Sequence, residues 1–328
     1  MSGIIQAVNL MGGCQKLIQT GTPINLRSGY YTPGFLTVLT AHLRRYHVPK
    51  SGLTFVDEQN SGYFSAMGLA KVLWGEDDYQ FNRSNAGTNY APLTHLSSRD
   101  AVDDATQQIN SCLRQMAASS DNFDYRESAA FRELMHVVGE LHDNVWSHGL
   151  DCGFSAAQRR VVLNNTEIEF ALADTGVGFL EELRSSGIAA TNGIFTDQQA
   201  IEWCIQEGNS SKLVDHEDEW GQSVPDDFVG GNPFGRKVKT RRVPGGNHHQ
   251  GLGLAKLMQL AKAYDGLLYL VSGNSCLCLK SGIISFPKLS KPWKGVAVSL
   301  TLQEAKMAAA EEPETTADIN DLMNLLRG

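Results

Sequence analysis

The stretch Glu167-Ile-Glu-Phe-Ala-Leu-Ala-Asp174-Thr-Gly-Val-Gly178 joins a strand pattern to a glycine turn. Ile168, Phe170 and Leu172 alternate with other residues, as the buried side chains of a half-buried strand do. The two glycines of the turn let the backbone approach a ligand closely. Asp174 stands at the carboxyl end of the strand, where its carboxylate could accept a hydrogen bond from the exocyclic amine of adenine. Guanine offers a carbonyl at that position, so the stretch predicts a ligand-binding turn that prefers adenine.

The clearest helix pattern lies upstream, at residues 128–146. Its apolar residues recur every three or four positions and predict a buried stripe: Phe131, Leu134, Val138, Leu141 and Val145. Glu140 and Asn144 lie one helical turn apart at the edge of this stripe. A carboxylate there could deprotonate an attacking hydroxyl or water, and an Asn carbonyl could ligate Mg²⁺. We expect both side chains at the lip of a cleft.

A second glycine-rich segment, Gly245-Gly-Asn-His-His-Gln-Gly-Leu-Gly-Leu254, leads into a predicted helix from Gly253 to Tyr264. The free backbone N–H groups and the dipole at a helix start favour phosphate. Predicted strands follow at residues 267–271, 276–279 and 296–302. Each motif is common by itself, and their order along the chain is what discriminates.

In that order the motifs resemble those of the GHKL (Bergerat-fold) ATPase superfamily over about residues 125–302. The resemblance implies an α+β sandwich in which helices cover one face of a mixed sheet. It also implies ATP and Mg²⁺ as cofactors, Glu140 as the catalytic base and Asn144 as the Mg²⁺ ligand. The residues expected to bind nucleotide are Asn144 and those of the two glycine motifs: Asp174, Gly176, Gly178, Gly251, Leu252, Gly253 and Leu254.

The Glu-Asn motif also favours one branch of the superfamily. The run Gly139-Glu-Leu-His-Asp-Asn-Val-Trp-Ser-His-Gly149 looks most like that of the anti-sigma-factor serine kinases. Histidine kinases usually carry His in place of Glu140, and neither His136 nor His142 matches a phosphoacceptor motif, which disfavours a histidine autokinase. One departure concerns Gly295-Val296, where the family often has Gly-Thr, because the Thr there helps a water to contact adenine.

The N-terminal region predicts a smaller α/β domain of residues 1–117, with a boundary within residues 100–125 before the ATP-binding domain of residues 118–302. Two strands and two helices are expected in it: residues 24–26, 53–56, 35–45 and 64–74. The first strand, Tyr31-Thr-Pro-Gly34 and the next helix weakly resemble STAS-like modules, which occur beside such kinases. An unrelated small α/β domain is the alternative. The amphipathic helix pattern of residues 102–116 could pack on either domain.

Two further segments have irregular patterns. Residues 184–250 are expected to form a long, mobile lid over the triphosphate, with one helix at residues 197–206. In this lid Lys212 is the best candidate for a phosphate contact, and the basic cluster of residues 236–242 is either a further contact or a solvated loop. Residues 303–328 are predicted to be an acidic, solvated tail that ends in a short amphipathic helix.

Composition narrows the classes of partner. The net charge of −8 makes a nucleic-acid partner disfavoured. No run approaches the roughly 18 apolar residues that a membrane span needs, and the six cysteines are scattered rather than spaced as a disulfide framework. These features predict a cytoplasmic protein with reduced thiols and no membrane partner.

Three functions fit the motifs. The leading hypothesis, which favours an enzyme, is a cytoplasmic regulatory protein that hydrolyses ATP or transfers its phosphate to a Ser or Thr of a partner protein. The second is an ATP-gated protein-interaction module with little turnover. A nucleic-acid-associated ATPase is the third and rests only on the basic cluster. The pattern also admits a homodimer.

Overall fold

The computed structural model describes residues 3–118, 128–149, 152–162, 165–207, 209 and 252–309. In these ranges the helices are α1 (Ile4–Gly13), α2 (Gln15–Gln19), α3 (Pro33–Arg45), α4 (Glu58–Ala66), α5 (Leu69–Trp74), α6 (Arg99–Ala118), α7 (Ala129–Gly149), α8 (Phe179–Ser185), α9 (Ile188–Thr191), α10 (Asp197–Cys204), α11 (Leu252–Ala263) and α12 (Glu304–Ala309). The strands are β1 (Ile24–Leu26), β2 (Leu53–Phe55), β3 (Tyr90–Leu96), β4 (Gly153–Val162), β5 (Asn165–Asp174), β6 (Leu267–Gly273), β7 (Ser275–Lys280), β8 (Ile283–Ser285) and β9 (Trp293–Gln303). None of the described helices is both long and apolar enough to cross a membrane.

A seven-stranded sheet in the order β3-β4-β5-β9-β6-β7-β8 organises the fold. Every neighbouring pair in it is antiparallel, so the prediction of a mixed sheet is wrong. Among the described strands, parallel pairing is confined to β1 and β2, which form a separate two-stranded sheet. The α+β organisation predicted from the sequence is confirmed, since helices are layered on a large sheet.

Helices α6, α7 and α11 cover one face of the large sheet. The predicted stripe of α7 is buried: Phe131, Leu134, Val138, Leu141 and Val145. It packs in one apolar cluster with alternate residues of the central strands, among them Phe170 and Leu172 of β5 and Leu300 of β9. The period of two in the strands and the period of 3.6 in α7 therefore meet in a single core.

Helices α1 and α3, from the N-terminal region, cover the opposite face. Phe35 and Leu39 of α3 pack in a second apolar cluster with small side chains of the sheet, Ala156, Ala173 and Ala297. Because both faces carry helices, the last seven residues of β5 are all buried. A strand that is covered on both sides loses the polar alternation of a half-exposed strand.

One sheet and one core join the predicted domains of residues 1–117 and 118–302. Strand β3 pairs with β4 at the edge of the large sheet, and α6 packs in the same core as α7. The sequence conceals β3 because it contains Pro92, which strands tolerate at a sheet edge, and the pairing register shifts there. Residues 90–118 thus share the sheet and core of the C-terminal half.

A buried carboxylate attaches the start of α3 to the sheet. Oε1 of Glu169 on β5 accepts hydrogen bonds from Oγ1 of Thr32 at 2.8 Å, from the Gly34 N–H at 3.0 Å and from Oγ of Ser299 at 3.0 Å. Its other oxygen accepts from Nη1 of Arg160 at 2.7 Å. A negative charge at a helix N-terminus is favourable, and a buried carboxylate must have such partners. Glu169 therefore fixes where α3 begins on the sheet.

The predicted elements of the N-terminal region have mixed outcomes. The strands at residues 24–26 and 53–56 and the helix at residues 35–45 are confirmed within two residues. The helix predicted at residues 64–74 is two helices, α4 and α5, separated by Gly68 with a φ of 84°. The STAS-like resemblance of this region stays a prediction.

The acidic tail begins differently from the prediction. Glu304, expected in a solvated segment, is 4% exposed, and its Oε1 lies 2.7 Å from Nε of Arg159. Because this ion pair and the buried side chain of Met307 dock α12 on the sheet, the first residues of the tail are part of the fold. Residues 310–328, with the predicted terminal helix, lie outside the described residues.

Candidate functional site

A cavity that opens to solvent lies between α7, the end of β5, α8 and α10. Its apolar wall comes from α7, β5 and β9: Leu141, Val145, Leu172, Val296 and Val298. Its polar lining includes Asn144, Asp174, Glu182 and Asn209. A concave, mainly apolar wall with a few convergent polar groups is the usual form of a small-molecule site.

The cavity brings together most of the residues that the motifs single out. Asn144 of α7, Asp174, Gly176 and Gly178 of the turn after β5, and Leu254 of α11 all line it. These residues come from three segments that are distant in sequence. The structure therefore supports the prediction that the motifs share one site.

Gly253 lies behind this lining, at the contact between α11 and α7. A Cβ at this position would lie 2.9 Å from Cβ of Glu140 and 3.5 Å from Nδ2 of Asn144, so the close approach of the helices requires glycine. Leu252 is the first residue of α11. Gly251 and Lys212 lie outside the described residues.

Glu140 does not occupy the expected position. It is 8% exposed. Among the described residues, those that line the cavity do not include it. The close packing of Gly253 on α7 covers it, and Nε2 of His136 lies 3.9 Å from its Oε1. Of the pair predicted at the lip of a cleft, Asn144 lines the cavity and Glu140 is buried, and the catalytic role of Glu140 stays a prediction.

Asp174 is held with one carboxylate oxygen committed and one available. Oδ1 accepts hydrogen bonds from the Gly176 N–H at 2.8 Å and the Val296 N–H at 3.0 Å. Oδ2 accepts no hydrogen bond from the described part of the chain. Burial raises the pKa of Asp174 to about 6, against the lowering effect of the two N–H donors and of Arg45. Near neutral pH the side chain is therefore an ionised acceptor with a free oxygen that faces a ligand cavity.

The turn around Asp174 is fixed by neighbours that the sequence does not reveal. The N–H and the Oγ1 hydroxyl of Thr175 both donate to the carbonyl of Cys152 at 2.9 Å. Gly178 has a φ of 86°, and a Cβ there would lie 2.9 Å from Oγ of Ser272. Gly295 has a φ of 116°, and a Cβ there would lie 2.5 Å from the carbonyl oxygen of Asp174. Both glycines are needed for conformation and for space.

The first part of the predicted lid is a packed layer beside the cavity. Helices α8, α9 and α10 share a small apolar cluster: Leu180, Leu183, Ala189, Ile194 and Ala200. Oδ2 of Asp197 accepts a hydrogen bond from the Asn274 N–H at 3.0 Å, which attaches α10 to the β6–β7 turn. The helix predicted at residues 197–206 is thus confirmed, whereas the prediction of an irregular lid is wrong for residues 184–207. Residues 210–250 lie outside the described part of the chain.

Three residues at and just after the end of α10 line the cavity: Trp203, Cys204 and Asn209. Nδ2 of Asn209 donates to the carbonyl of Trp203 at 2.8 Å and closes the end of α10. Burial raises the pKa of the Cys204 thiol well above its ordinary value, so it stays protonated and is a poor nucleophile. Trp203 supplies aromatic surface to the cavity.

The histidine next to the site on α7 is structural. His142 is fully buried, and its Nδ1 lies 2.8 Å from Oγ1 of Thr106 on α6. Burial lowers its pKa to about 3, so the ring stays neutral. A buried ring cannot reach a phosphate donor, which agrees with the rejection of a histidine autokinase.

Neither a protein-family model, nor a curated protein, nor a solved structure matches this chain. The resemblance to the GHKL superfamily therefore rests on the motifs and on the geometry of the cavity.

Proposed function

We propose that this chain binds ATP with Mg²⁺ in the cavity between α7 and the Asp174–Gly178 turn and acts as a regulatory protein. One observation carries the proposal: Asn144, Asp174 and Leu254, from three distant segments, line a single cavity. Their order along the chain is the order of the GHKL motifs. Neither feature alone would assign a ligand, but the two together favour an adenine nucleotide.

The base end of the cavity fits adenine. The free Oδ2 of Asp174 could accept from the exocyclic amine, and the apolar wall of β5 and β9 could contact the ring. A guanine would bring a carbonyl oxygen against the carboxylate, which repels it. Trp203 faces the same space and could cover the base.

The phosphate end fits Mg²⁺ through a single protein ligand. Among the described residues, no three His, Cys, Asp or Glu side chains are grouped closely enough to hold a metal alone. Mg²⁺ commonly takes one or two protein ligands and completes its shell with phosphate oxygens and water. The side-chain oxygen of Asn144 would be that ligand, and the first turn of α11 would offer N–H groups to phosphate.

In the leading form of the proposal the protein is an ATPase or a kinase. ATP supplies a transferable phosphoryl group when bound. Glu140 would accept the proton of the attacking group, which is water or a Ser or Thr hydroxyl of a partner protein. To do so, its carboxylate must move from its buried position near His136 into the cavity that Asn144 lines.

The buried position of Glu140 favours a second candidate. If the carboxylate stays outside the cavity, nucleotide would bind without meaningful turnover and gate a surface for a partner protein. The third candidate, a nucleic-acid-associated ATPase, draws no support from the described residues, because the basic cluster of residues 236–242 lies outside them.

Titration calorimetry of the full chain with ATP and GTP, with and without Mg²⁺, tests the proposal. We expect ATP to bind more tightly than GTP, and Asp174→Asn to lose most of the ATP affinity because an acceptor oxygen becomes a donor. Asp104→Asn, on the exposed side of α6, is the matched control and should bind as the wild type does. Equal affinity for the two nucleotides, or wild-type affinity in Asp174→Asn, would contradict the proposal.

A further inference from the structure

One arginine of the N-terminal region contacts the turn that carries Asp174. Arg45 is the last residue of α3, which packs on the sheet face opposite α7. Its Nη2 donates to the carbonyl oxygens of Thr175 and Gly176, the latter at 3.2 Å. A single guanidinium group of α3 thus binds two successive peptide groups of the turn.

These contacts determine which way the N–H groups of the turn point. A trans peptide is planar, and its C=O and N–H point in opposite directions. When Arg45 holds the carbonyl of Thr175, the N–H of the same peptide points the other way, and that N–H donates to Oδ1 of Asp174. The hydrogen bond that commits Oδ1 and leaves Oδ2 available therefore depends on the orientation that Arg45 imposes.

Helix α3 is attached to β5 at both of its ends. At its start, Thr32 and Gly34 donate to Glu169, in the middle of the strand. At its end, Arg45 donates to the turn that directly follows the strand. A helix fixed at two points beside one strand transmits a displacement of either attachment to the other. The position of the N-terminal layer is thereby coupled to the turn.

One donor group of Arg45 has no partner among the described residues. Its Nη1 is buried and makes no hydrogen bond to them. A buried donor without a partner is unfavourable for folding. An arginine kept in such a place points to a role in the site rather than in fold stability.

We propose that Arg45 is a positioning residue that holds the Asp174–Gly178 turn in its adenine-accepting conformation and makes nucleotide affinity depend on the N-terminal layer. The inference rests on the proposed function for its ligand. It deepens that function, because it assigns the regulation of the site to α3. The position of the turn itself can be measured without any nucleotide.

The test compares Arg45→Gln with Arg44→Gln, which removes the same charge from the exposed neighbouring residue. We expect Arg45→Gln to weaken ATP binding about tenfold or more, the effect of losing hydrogen bonds from a charged group. GTP binding should change less, because guanine makes no favourable contact with Asp174, so the ATP-to-GTP selectivity falls. Arg44→Gln should match the wild type. A merely structural role would weaken both nucleotides equally, and that result overturns the inference.

Hydrogen exchange of the nucleotide-free protein separates this inference from the proposed function. The Gly176 amide should exchange faster in Arg45→Gln than in Arg44→Gln, while amides of the β4–β5 ladder stay unchanged. If the wild type binds no nucleotide, the proposed function fails, yet faster exchange still supports the positioning role. Equal exchange in the two variants overturns it.

A second variant covers the case in which Arg45→Gln does not fold. Arg45→Lys keeps the positive charge but loses the planar pair of donors. We expect it to fold and to lose ATP selectivity by less than Arg45→Gln. If Arg45→Lys keeps both the wild-type selectivity and the wild-type exchange at Gly176, the turn does not depend on the guanidinium group, and the inference is wrong.

Discussion

The base end and the phosphate end of the candidate site are built to different degrees by the described residues. At the base end, Asp174 is fixed by two backbone N–H groups. The residues around it are supported by Cys152, by Ser272 of β6 and by Arg45 of α3. At the phosphate end, Asn144 lines the cavity, Glu140 does not, and Gly251 lies outside the described residues. Under the proposed function, recognition of adenine would be preorganised, whereas catalysis would require Glu140 to move.

The difference has a physical cause. Backbone donors and glycines with positive φ hold the base end, and such elements have few alternative conformations. The phosphate end depends on the carboxylate of Glu140, which is buried near His136 and does not line the cavity. A site of this kind would bind nucleotide readily and turn it over only after a rearrangement.

The largest expected effect concerns Glu140. Glu140→Gln should lower ATP turnover or phosphotransfer by roughly 10²- to 10⁴-fold, because an amide cannot accept the proton of the attacking hydroxyl. ATP affinity should stay unchanged, since Glu140 does not line the cavity. Release or transfer of label from γ-labelled ATP measures the first effect and calorimetry the second.

The matched control for this variant is Glu133→Gln, on the same helix, where Oε1 lies 3.6 Å from Nζ of Lys256. It should keep full turnover. If the two variants turn over ATP at the same rate, the binding-module function is favoured over the enzyme. If Glu140→Gln also loses ATP affinity, the contrast between the two ends of the site is wrong.

A smaller effect concerns pH at the base end. The pKa of Asp174 is raised by burial from 3.8 to about 6, so the ionised acceptor is lost as pH falls through 6. The preference for ATP over GTP should therefore fall by about tenfold between pH 7 and pH 5. Competition binding of ATP and GTP measures this preference. The triphosphates of both nucleotides titrate alike, so their titration cancels in the ratio of the two affinities.

The same raised pKa affects the stability of the fold in the opposite direction, because protonation of Asp174 favours folding while it weakens adenine binding. A carboxyl group whose pKa is higher in the folded state stabilises the fold most below its unfolded pKa, and this contribution is lost as pH rises through 6. Asp174 therefore does not destabilise the protein at pH 5, and lost preference there reports binding. In Asp174→Asn the ratio should not change with pH, and a change like that of the wild type would assign the titration to another group.

The smallest effect is expected at Trp203. Trp203→Phe should weaken ATP binding by about two- to tenfold, because a smaller ring covers less of the base. It should also remove the change in tryptophan fluorescence that ATP causes in the wild type. Trp74→Phe, remote in sequence on α5, is the control and should leave that change in place. An ATP-induced change that persists in Trp203→Phe would show that this side chain does not contact the base.

The local parts of the site were predictable from the sequence. The stripe of α7 and the Asp174–Gly178 turn follow from the spacing of apolar residues and from glycine, and each is decided by a few neighbouring positions. Asn144 and Asp174 were found in this way, and they line one cavity. The proposal of an adenine nucleotide as the ligand also depended on the order of the motifs along the chain.

The long-range parts were not predictable. Arg45 and Ser272 contact the turn from 130 and 93 residues away, and no local pattern marks either one. The burial of Glu140 depends on how closely α11 packs on α7, which spacing within α7 does not determine. One available signal was missed: Ala171 and Ala173 stand where a half-exposed strand carries polar side chains, and they indicate a strand covered on both faces.

The attachment of α3 to β5 also has a consequence for synthesis of the chain. Gly34 and Glu169 are 135 residues apart, so the ribosome releases α3 long before the strand that anchors it. Until then Phe35 and Leu39 have no sheet to cover, and contacts of such long range form slowly. A nascent chain that stops near residue 117 carries a bare apolar helix, which is a target for chaperones and a source of aggregation.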